Sequence, residues 1–270
     1  MKNFAGKVAI ITGSSRGIGK AIALELANKG ALIVLNGRNP ERLAAAEQQL
    51  KTIHQQVLAV CSDVSTVLGC KELISQAIGK FGKIDILVNN VGVSMRGYVA
   101  DLNPEVFKTV FESNVLGTVY PTIPAIPYLR QTKGSIVFIS SLAGIRGLPG
   151  LSAYSSSKMA LRAIVESIRL EEAAHSIHVG LVLAGVTDIE PGKETIAADG
   201  SLRLLASRKG KNVQPTREVA KAVIENIRYR KFYSVLTPLG KINAVLQSLF
   251  PLLVERIILA NLHKFEEGGK

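Results

Sequence analysis

Short runs of consecutive apolar residues alternate along the chain with longer stretches whose apolar positions recur every three or four residues. The first pattern marks strands buried on both faces, and the second marks amphipathic helices. Strands are expected at residues 7–12, 31–36, 57–61, 84–89, 135–140, 178–183 and 233–237. Helices are expected at 17–29, from Pro40 onward, and at 67–81, 104–130, 153–175 and 216–230. Pro40 stands where the first turn of a helix tolerates a missing N–H. In the 153–175 stretch Leu161, Ile164, Val165 and Ile168 form one stripe, with Arg162, Glu166 and Arg169 off it. Pro121, Pro124 and Pro127 are expected to bend or break the second half of the 104–130 helix, because each removes a donor and crowds the preceding turn.

Strands alternating with helices imply a doubly wound parallel sheet in a three-layer α/β/α arrangement. No repeat, low-complexity tract or linker interrupts the 270 residues. Residues 1–241 therefore read as one domain and 242–270 as a hydrophobic C-terminal extension of it. With 47% hydrophobic residues, such a chain can bury a sizeable core. Residues 185–213, rich in Gly, Lys, Arg and Ser, read as a mobile loop or lid.

The net charge of +12 is unevenly placed: from Arg203 to Lys241 ten Lys or Arg face two acids, Glu218 and Glu225, a net +8. No nucleic-acid motif accompanies this stretch and few aromatics interleave it, so nucleic acid is not expected as a partner. A solvated face, substrate phosphates or an anionic membrane surface suits it better. Cys61 and Cys70 form no evident pair, and no signal-like apolar segment precedes the first strand. A reducing, cytoplasmic setting is expected. His54, His175, His178 and His263 stand in no ligand spacing, and no metal is expected.

Tyr154 and Lys158 lie at i and i+4, on one helix face. A phenol with a pKa of about 10 exchanges protons poorly at neutral pH. A fixed ammonium beside it favours the phenolate. The turn from Thr12 to Gly19 (Thr-Gly-Ser-Ser-Arg-Gly-Ile-Gly) joins the first strand to a helix. In that context Gly13, Gly17 and Gly19 let backbone N–H groups, with those of Ser15 and Ile18, approach a pyrophosphate at the helix N-terminus. A tight strand–helix connection is the alternative reading. The second strand closes with Asn36-Gly-Arg-Asn39, where an NAD site commonly has a carboxylate for the ribose hydroxyls. Arg38 there, with Arg16 from the turn, suits a 2′-phosphate, although two ordinary surface arginines would look the same. NADP(H) is favoured. Asp63-Val64 follows the third strand, placed to accept from an adenine amino group. Asn90 belongs to the tight turn Asn89–Gly92 after the fourth strand.

Taken in order, these residues resemble the short-chain dehydrogenase/reductase family from residue 5 to about 240. The resemblance rests on the turn from Thr12 to Gly19, Asn89-Asn-Val-Gly92, Asn114 in Asn-Val-Leu-Gly, Ser140-Ser141, and Tyr154-Ser-Ser-Ser-Lys158. It implies a Rossmann-type fold and an oxidoreductase acting on CH–OH groups, with a homodimer or homotetramer as the assembly. Tyr154 would be the general acid in reduction and Lys158 would lower its pKa and hold the nicotinamide ribose. Ser141 would hydrogen-bond the substrate oxygen, and Asn114 would anchor a water linking Lys158 to solvent. The apolar stripe on the Tyr154 helix, with Val106, Phe107, Val110 and Phe111, is expected to pair helices between subunits.

The sequence departs from the family pattern at Val91, where Ala is usual, at the three prolines after Tyr120, and at Leu183-Ala-Gly-Val-Thr-Asp188. In that last segment Thr187 reaches the nicotinamide amide only if two residues are missing relative to the family. The likeness is strongest to the branch with a hydrophobic C-terminal extension, as in membrane-associated dehydrogenase/reductase members. Residues 242–265 are apolar on nearly every face but are interrupted by Pro251 and Glu255-Arg256, which argues against a spanning helix. Three readings fit them: a cover for the substrate pocket, a subunit contact, or an interfacial segment beside the basic stretch. The expected activity is NADPH-dependent reduction of an apolar, possibly lipid-like, ketone, or oxidation of its alcohol. Alternatives are a 3-oxoacyl carrier protein reductase, a non-catalytic NADP-binding sensor, and a peripheral membrane scaffold.

Overall fold

A computed structural model describes residues 3–206, 210 and 213–262. Arg208, Lys209 and Lys211 of the basic stretch, His263, and residues 263–265 of the extension lie outside the described residues. In chain order the elements are β1 (Val8–Ile11), α1 (Gly17–Ala27), β2 (Leu32–Gly37), α2 (Pro40–Lys51), β3 (Val57–Cys61), α3 (Val67–Phe81) and β4 (Ile86–Asn89). There follow α4 (Pro104–Phe111), a π-helical turn (Glu112–Leu116), α5 (Gly117–Thr132), β5 (Ser135–Ser141), α6 (Ser152–Glu171) and β6 (His178–Ala184). The chain closes with β7 (Glu194–Ile196), β8 (Leu202–Leu204), α7 (Thr216–Arg228), β9 (Tyr233–Val235), α8 (Pro238–Leu249) and α9 (Pro251–Leu259).

Seven strands form one sheet in the order β3-β2-β1-β4-β5-β6-β9, every pair parallel. Period-two geometry splits the apolar strands between two cores. Ala9 and Ile11 of β1 face α1, α2 and α7 through Ile22, Leu26, Leu43, Leu50, Val223 and Ile227. Val8 and Ile10 face α3, α5 and α6 through Leu73, Ala77, Ala125, Leu129, Leu161 and Val165. The strand order reverses between β1 and β4, which opens a crevice at the carboxyl edge of the sheet. That edge is where the chemistry-bearing residues gather.

Four expectations change. The three prolines do not break the helix: α5 runs unbroken through Pro121, Pro124 and Pro127, and the irregular turn lies before them, at Glu112–Leu116. Each proline costs an isolated helix about 3 kcal/mol. Here burial of Pro121, Thr122, Ala125 and Leu129 against the sheet outweighs propensity. The 185–213 stretch is not merely a loop, because it contains the antiparallel hairpin β7–β8. Residues assigned to a subunit contact are buried within a single chain: Leu161 and Val165 in the sheet core, Val106 and Val110 against Met95, Ala153 and Ile196. The helix expected at 153–175 ends at Glu171 and continues as a 3-10 turn at Ala173–His175.

Candidate active site

Between β1 and α1 the backbone turns through Gly13 and Gly17, at φ 61° and 59°, a left-handed region open to glycine. Thr12 Oγ1 accepts from the Asn90 and Val91 amides at 3.0 and 3.3 Å. Asn90 Nδ2 donates to the Thr12 and Gly13 carbonyls at 3.1 and 3.0 Å. The Asn90 side chain therefore clamps the turn to the end of β4. A Cβ on Gly19 would lie 2.6 Å from Asn90 Nδ2 and 2.9 Å from Ser14 Cα, so only glycine permits this clamp. Val91 fits because two glycines surround it; a Cβ on Gly13 or Gly117 would stand 3.1 or 3.4 Å from its methyls. No side chain caps α1 at Arg16 and no acid lies in its first turn, so its amide N–H groups and dipole favour an anion. Such a cradle fits a nucleotide phosphate. The Ile18 side chain packs on the core, so only its backbone is available there.

Asn36, at the end of β2, points inward and donates to the Val60 and Ser62 carbonyls and to Ser62 Oγ at 3.3, 3.1 and 3.1 Å. Ser14 Oγ donates to the Ile11 carbonyl and accepts from the Asn36 amide, at 2.7 and 3.0 Å. Arg38 is exposed, with its guanidinium 3.5 Å from an Asp63 carboxylate oxygen. Asp63 accepts at 2.9 and 2.7 Å from the Ser65 amide and hydroxyl, and these bonds with the Arg38 charge hold its carboxyl below the usual range although burial opposes them. Val64 is buried and its carbonyl accepts the Cys70 thiol.

Lys158 is 5% exposed, and its ammonium donates to the Ile139 carbonyl at 2.9 Å and lies 6.0 Å from the centre of the Tyr154 ring. Burial, and secondarily the charge of Lys193, lower its pKa to about 8. A Cβ on Gly92 would come 3.2 Å from the Lys158 nitrogen and 3.0 Å from Asn114 Oδ1, which shows how closely the turn after β4 approaches both. Asn114 is fully buried in the π turn. Its amide accepts from the Val93 N–H at 2.7 Å and donates to the Val93 carbonyl and to Ser157 Oγ, at 3.0 and 2.9 Å. Ser141 closes β5, and its hydroxyl accepts from the Ala143 amide at 3.2 Å.

Above Tyr154 the 94–97 segment and the β7–β8 hairpin form a roof. Ile196 exchanges backbone hydrogen bonds with Ser94 and Arg96, and Ser94 Oγ donates to Thr195 Oγ1 at 2.9 Å. Met95 and Ile196 are buried, and Tyr154, Val93, Leu102 and Phe107 pack against their cluster. On the other side α8 abuts the segment after β5: a Cβ on Gly240 would meet Leu142 at 2.6 Å, and Arg146 donates to Gln247 at 3.0 Å. Thr187 is mostly buried; its hydroxyl donates to the Gly185 carbonyl at 3.2 Å, and Gln214 pins the segment by bonds with Gly185, Val186 and Asp188.

Tyr154, Lys158, Asn114 and Ser141 thus gather at one edge, with the glycine turn and Asn90 beside them. Arg38 and Asp63 lie further out on that edge, paired with each other. Sequence reasoning gave no role of their own to Ser157, Gly92, Asn36 and Ser62, which stand against the named residues. A buried polar residue at the end of an apolar strand run was a signal for Asn36; nothing local marks Ser157 among its serine neighbours.

The model of the short chain dehydrogenase family matches residues 7–199. A 3-ketodihydrosphingosine reductase from Bos taurus is 35% identical over 237 residues, covering 85% of this chain and 70% of the bovine protein. An Arabidopsis thaliana protein named 11-beta-hydroxysteroid dehydrogenase-like 4A is 36% identical over 231 residues, covering 82% of this chain and 73% of the plant protein. Among solved structures, a short chain dehydrogenase/reductase from Burkholderia phymatum in complex with NAD superposes with a TM-score of 0.82 at 25% identity, over 94% of this chain and 96% of that one.

Proposed function

The chain belongs to the short-chain dehydrogenase family, and from that premise we propose that it is an NADP(H)-dependent oxidoreductase interconverting a ketone and an alcohol on an apolar, lipid-like substrate. The observation that carries this reading is the buried Lys158 ammonium beside the Tyr154 ring. When bound, the nicotinamide nucleotide supplies or accepts the hydride. Gly13, Ser15, Gly17, Ile18 and Gly19 would hold its phosphates through backbone N–H groups, Arg16 and Arg38 would recognise the adenosine end beside Asp63 and Val64, and Thr187 would lie toward the nicotinamide amide. Asn90 shapes the turn that receives it.

Tyr154 Oη gives its proton to the substrate oxygen in reduction and takes it back in oxidation. Lys158 holds the phenolate form within reach of neutral pH. Ser141 donates a hydrogen bond to the same oxygen, where negative charge builds. Asn114 keeps the π turn and the Tyr154 helix in register, and its backbone borders the path by which protons return.

Support for an apolar substrate comes from the roof of Met95, Val93, Leu102 and Ile196 and from the names of the two relatives, which refer to a sphingoid ketone and a steroid. The contact of α8 with Leu142 and Arg146, close after Ser141, supports a C-terminal extension that borders the substrate. Leu239, Ile242, Val245, Leu249, Leu252 and Leu259 are exposed on α8 and α9, which suits a peripheral membrane contact at the cytoplasmic face. Among the described residues no helix is long and apolar enough to cross a membrane. A homodimer or homotetramer remains the assembly we propose.

The test is fluorescence titration with NADPH and NADH, followed by a panel of long-chain and polycyclic ketones, wild type beside Tyr154→Phe. Tight nucleotide binding in both proteins, with turnover reduced about 10²–10⁴-fold in the variant, is the expected result. Turnover that survives in Tyr154→Phe would exclude this assignment of the acid.

A further inference from the structure

Helix α8 is amphipathic the wrong way round. Leu239, Ile242 and Val245 face solvent, while Gly240 is buried and Asn243 and Gln247 are half-buried. Gly240 lies against Leu142 and Gln247 against Arg146, so this polar face is turned toward the segment after β5. A helix that served only to cover a core would turn its apolar side inward. Arg146 on the facing segment is half-buried and donates from Nη1 to Gln247 Oε1 at 3.0 Å. Its Nε is shut off from solvent and has no hydrogen-bond partner among the described residues. The partner it does have is neutral. Neither residues 141–158 nor α8 contains an Asp or Glu, whereas they carry Arg146, Lys158 and Lys241.

We propose that Arg146, with Gln247 beside it, recognises an anionic end group on the substrate, a carboxylate or a phosphate monoester, at the far end of an apolar chain from the ketone. The inference rests on the oxidoreductase reading and narrows its substrate class. A buried N–H without an acceptor is costly, and an anion that takes Nε and Nη2 together removes that cost in the geometry a guanidinium offers best. Because Gln247 Oε1 is engaged by Arg146, its NH2 group is a further donor on the same side. Arg146 stands five residues after Ser141 and eight before Tyr154, in the stretch that joins them. Gln247 lies two helical turns beyond Gly240, which itself touches the neighbour of Ser141. The reacting carbonyl and the end group are thus separated by on the order of 10 Å. A cationic end group would find no carboxylate in either segment.

The experiment measures kcat/KM of the full chain for matched long-chain ketones ending in a carboxylate, a phosphate monoester or a methyl ester. The quantity read is the ratio of each charged substrate to the ester, in wild type, Arg146→Met, Gln247→Glu and Tyr154→Phe. Wild type is expected to favour one charged end group about tenfold or more, as a charge-assisted bond requires, and the larger ratio tells carboxylate from phosphate. Arg146→Met brings that ratio close to one. Gln247→Glu keeps α8 tied to Arg146, now as an ion pair, but occupies the cation, and it lowers the ratio as well. A merely structural Arg146 would leave the ratio at its wild-type value in Gln247→Glu, which overturns the proposal. Wild-type ratios near one for both anions also overturn it, while Tyr154-dependent turnover of the ester keeps the oxidoreductase reading standing. Absence of Tyr154-dependent turnover with all three substrates removes both.

Discussion

Asn114 Nδ2 donates to Ser157 Oγ at 2.9 Å, one residue before Lys158. The same amide brackets Val93 with one bond to its N–H and one to its carbonyl. One side chain thus ties together the turn after β4, the π turn and the helix that carries Tyr154 and Lys158. Because Asn114 is fully buried, water cannot replace it.

Replacing Asn114 with Ala takes the side-chain partner from both the Val93 N–H and the Val93 carbonyl, while Ser157 Oγ keeps its bond to the Tyr154 carbonyl. Each such loss costs about 1–3 kcal/mol. We expect a destabilisation of about 3 kcal/mol by urea denaturation, together with a fall in kcat of more than tenfold. An unchanged midpoint would refute the three-way tie.

Lys158 titrates near 8 because burial disfavours its ammonium and Lys193 opposes it. In the proposed mechanism the ammonium is the form that acts on Tyr154, so kcat/KM in reduction should decline above about pH 8. Lys193→Met removes the opposing charge and should move that decline to higher pH. The stability effect has its own sign. Folding disfavours the protonated form, so this group's contribution rises as pH increases from about 8 toward the unfolded value of about 10.4.

His178, at the start of β6, is lowered to about 4, chiefly by burial, with Arg230 and Arg169 adding to it and a bond to the Lys231 carbonyl opposing. Its Nε2 lies 2.9 Å from that carbonyl and must carry the proton of the neutral ring. The folded pKa lies below the unfolded value of about 6.5, so the stability this group provides is full above that value and drains away as pH falls toward 4. The difference corresponds to about 3 kcal/mol. Thermal melts of His178→Gln and wild type at pH 7 and pH 4.5 should show a smaller acid loss in the variant.

Gly19→Ala drives a methyl into Asn90 Nδ2 and the Ser14 backbone. The clamp on the glycine turn then opens, and nucleotide binding should fall at least tenfold while Tyr154 and Lys158 stay in place. Isothermal titration checks it; wild-type affinity would mean that Asn90 is not what shapes the turn.

Leu249 and Leu252 stand on adjoining helices, 65% and 69% exposed. Replacing both with Ser should leave the melting temperature within a degree or two, as changes at exposed positions do. Sedimentation with anionic phospholipid vesicles should drop sharply in the same variant. Equal sedimentation would turn attention to a subunit contact, which analytical ultracentrifugation of the pair would reveal.

Much of this was legible in the sequence, for physical reasons. An unbroken apolar run bounded by turn residues has few alternatives to a strand buried on both faces, so β1 to β6 appear within a residue or two of their expected places. The i, i+4 spacing of Tyr154 and Lys158 fixes their common face before any tertiary contact forms. The glycine turn is legible in the same way, since left-handed backbone at Gly13 and Gly17 is a local property. The continuity of α5 through three prolines was not legible, because local propensity opposes it and only burial against the sheet reverses the balance.

Nor could spacing reveal which arginine lines a cavity. Arg38 and Arg42 are four residues apart and chemically alike, yet one meets Asp63 and the other faces α1. The strand and helix order, the turn and the common face of Tyr154 and Lys158 are set by short-range geometry, which each stretch of sequence carries by itself. The roof over Tyr154, the burial that lowers Lys158 and the partners of Asn114 depend on residues 19 to 101 positions apart in the chain. Those were decided by packing, because a buried charge or amide takes its chemistry from whatever the fold brings against it.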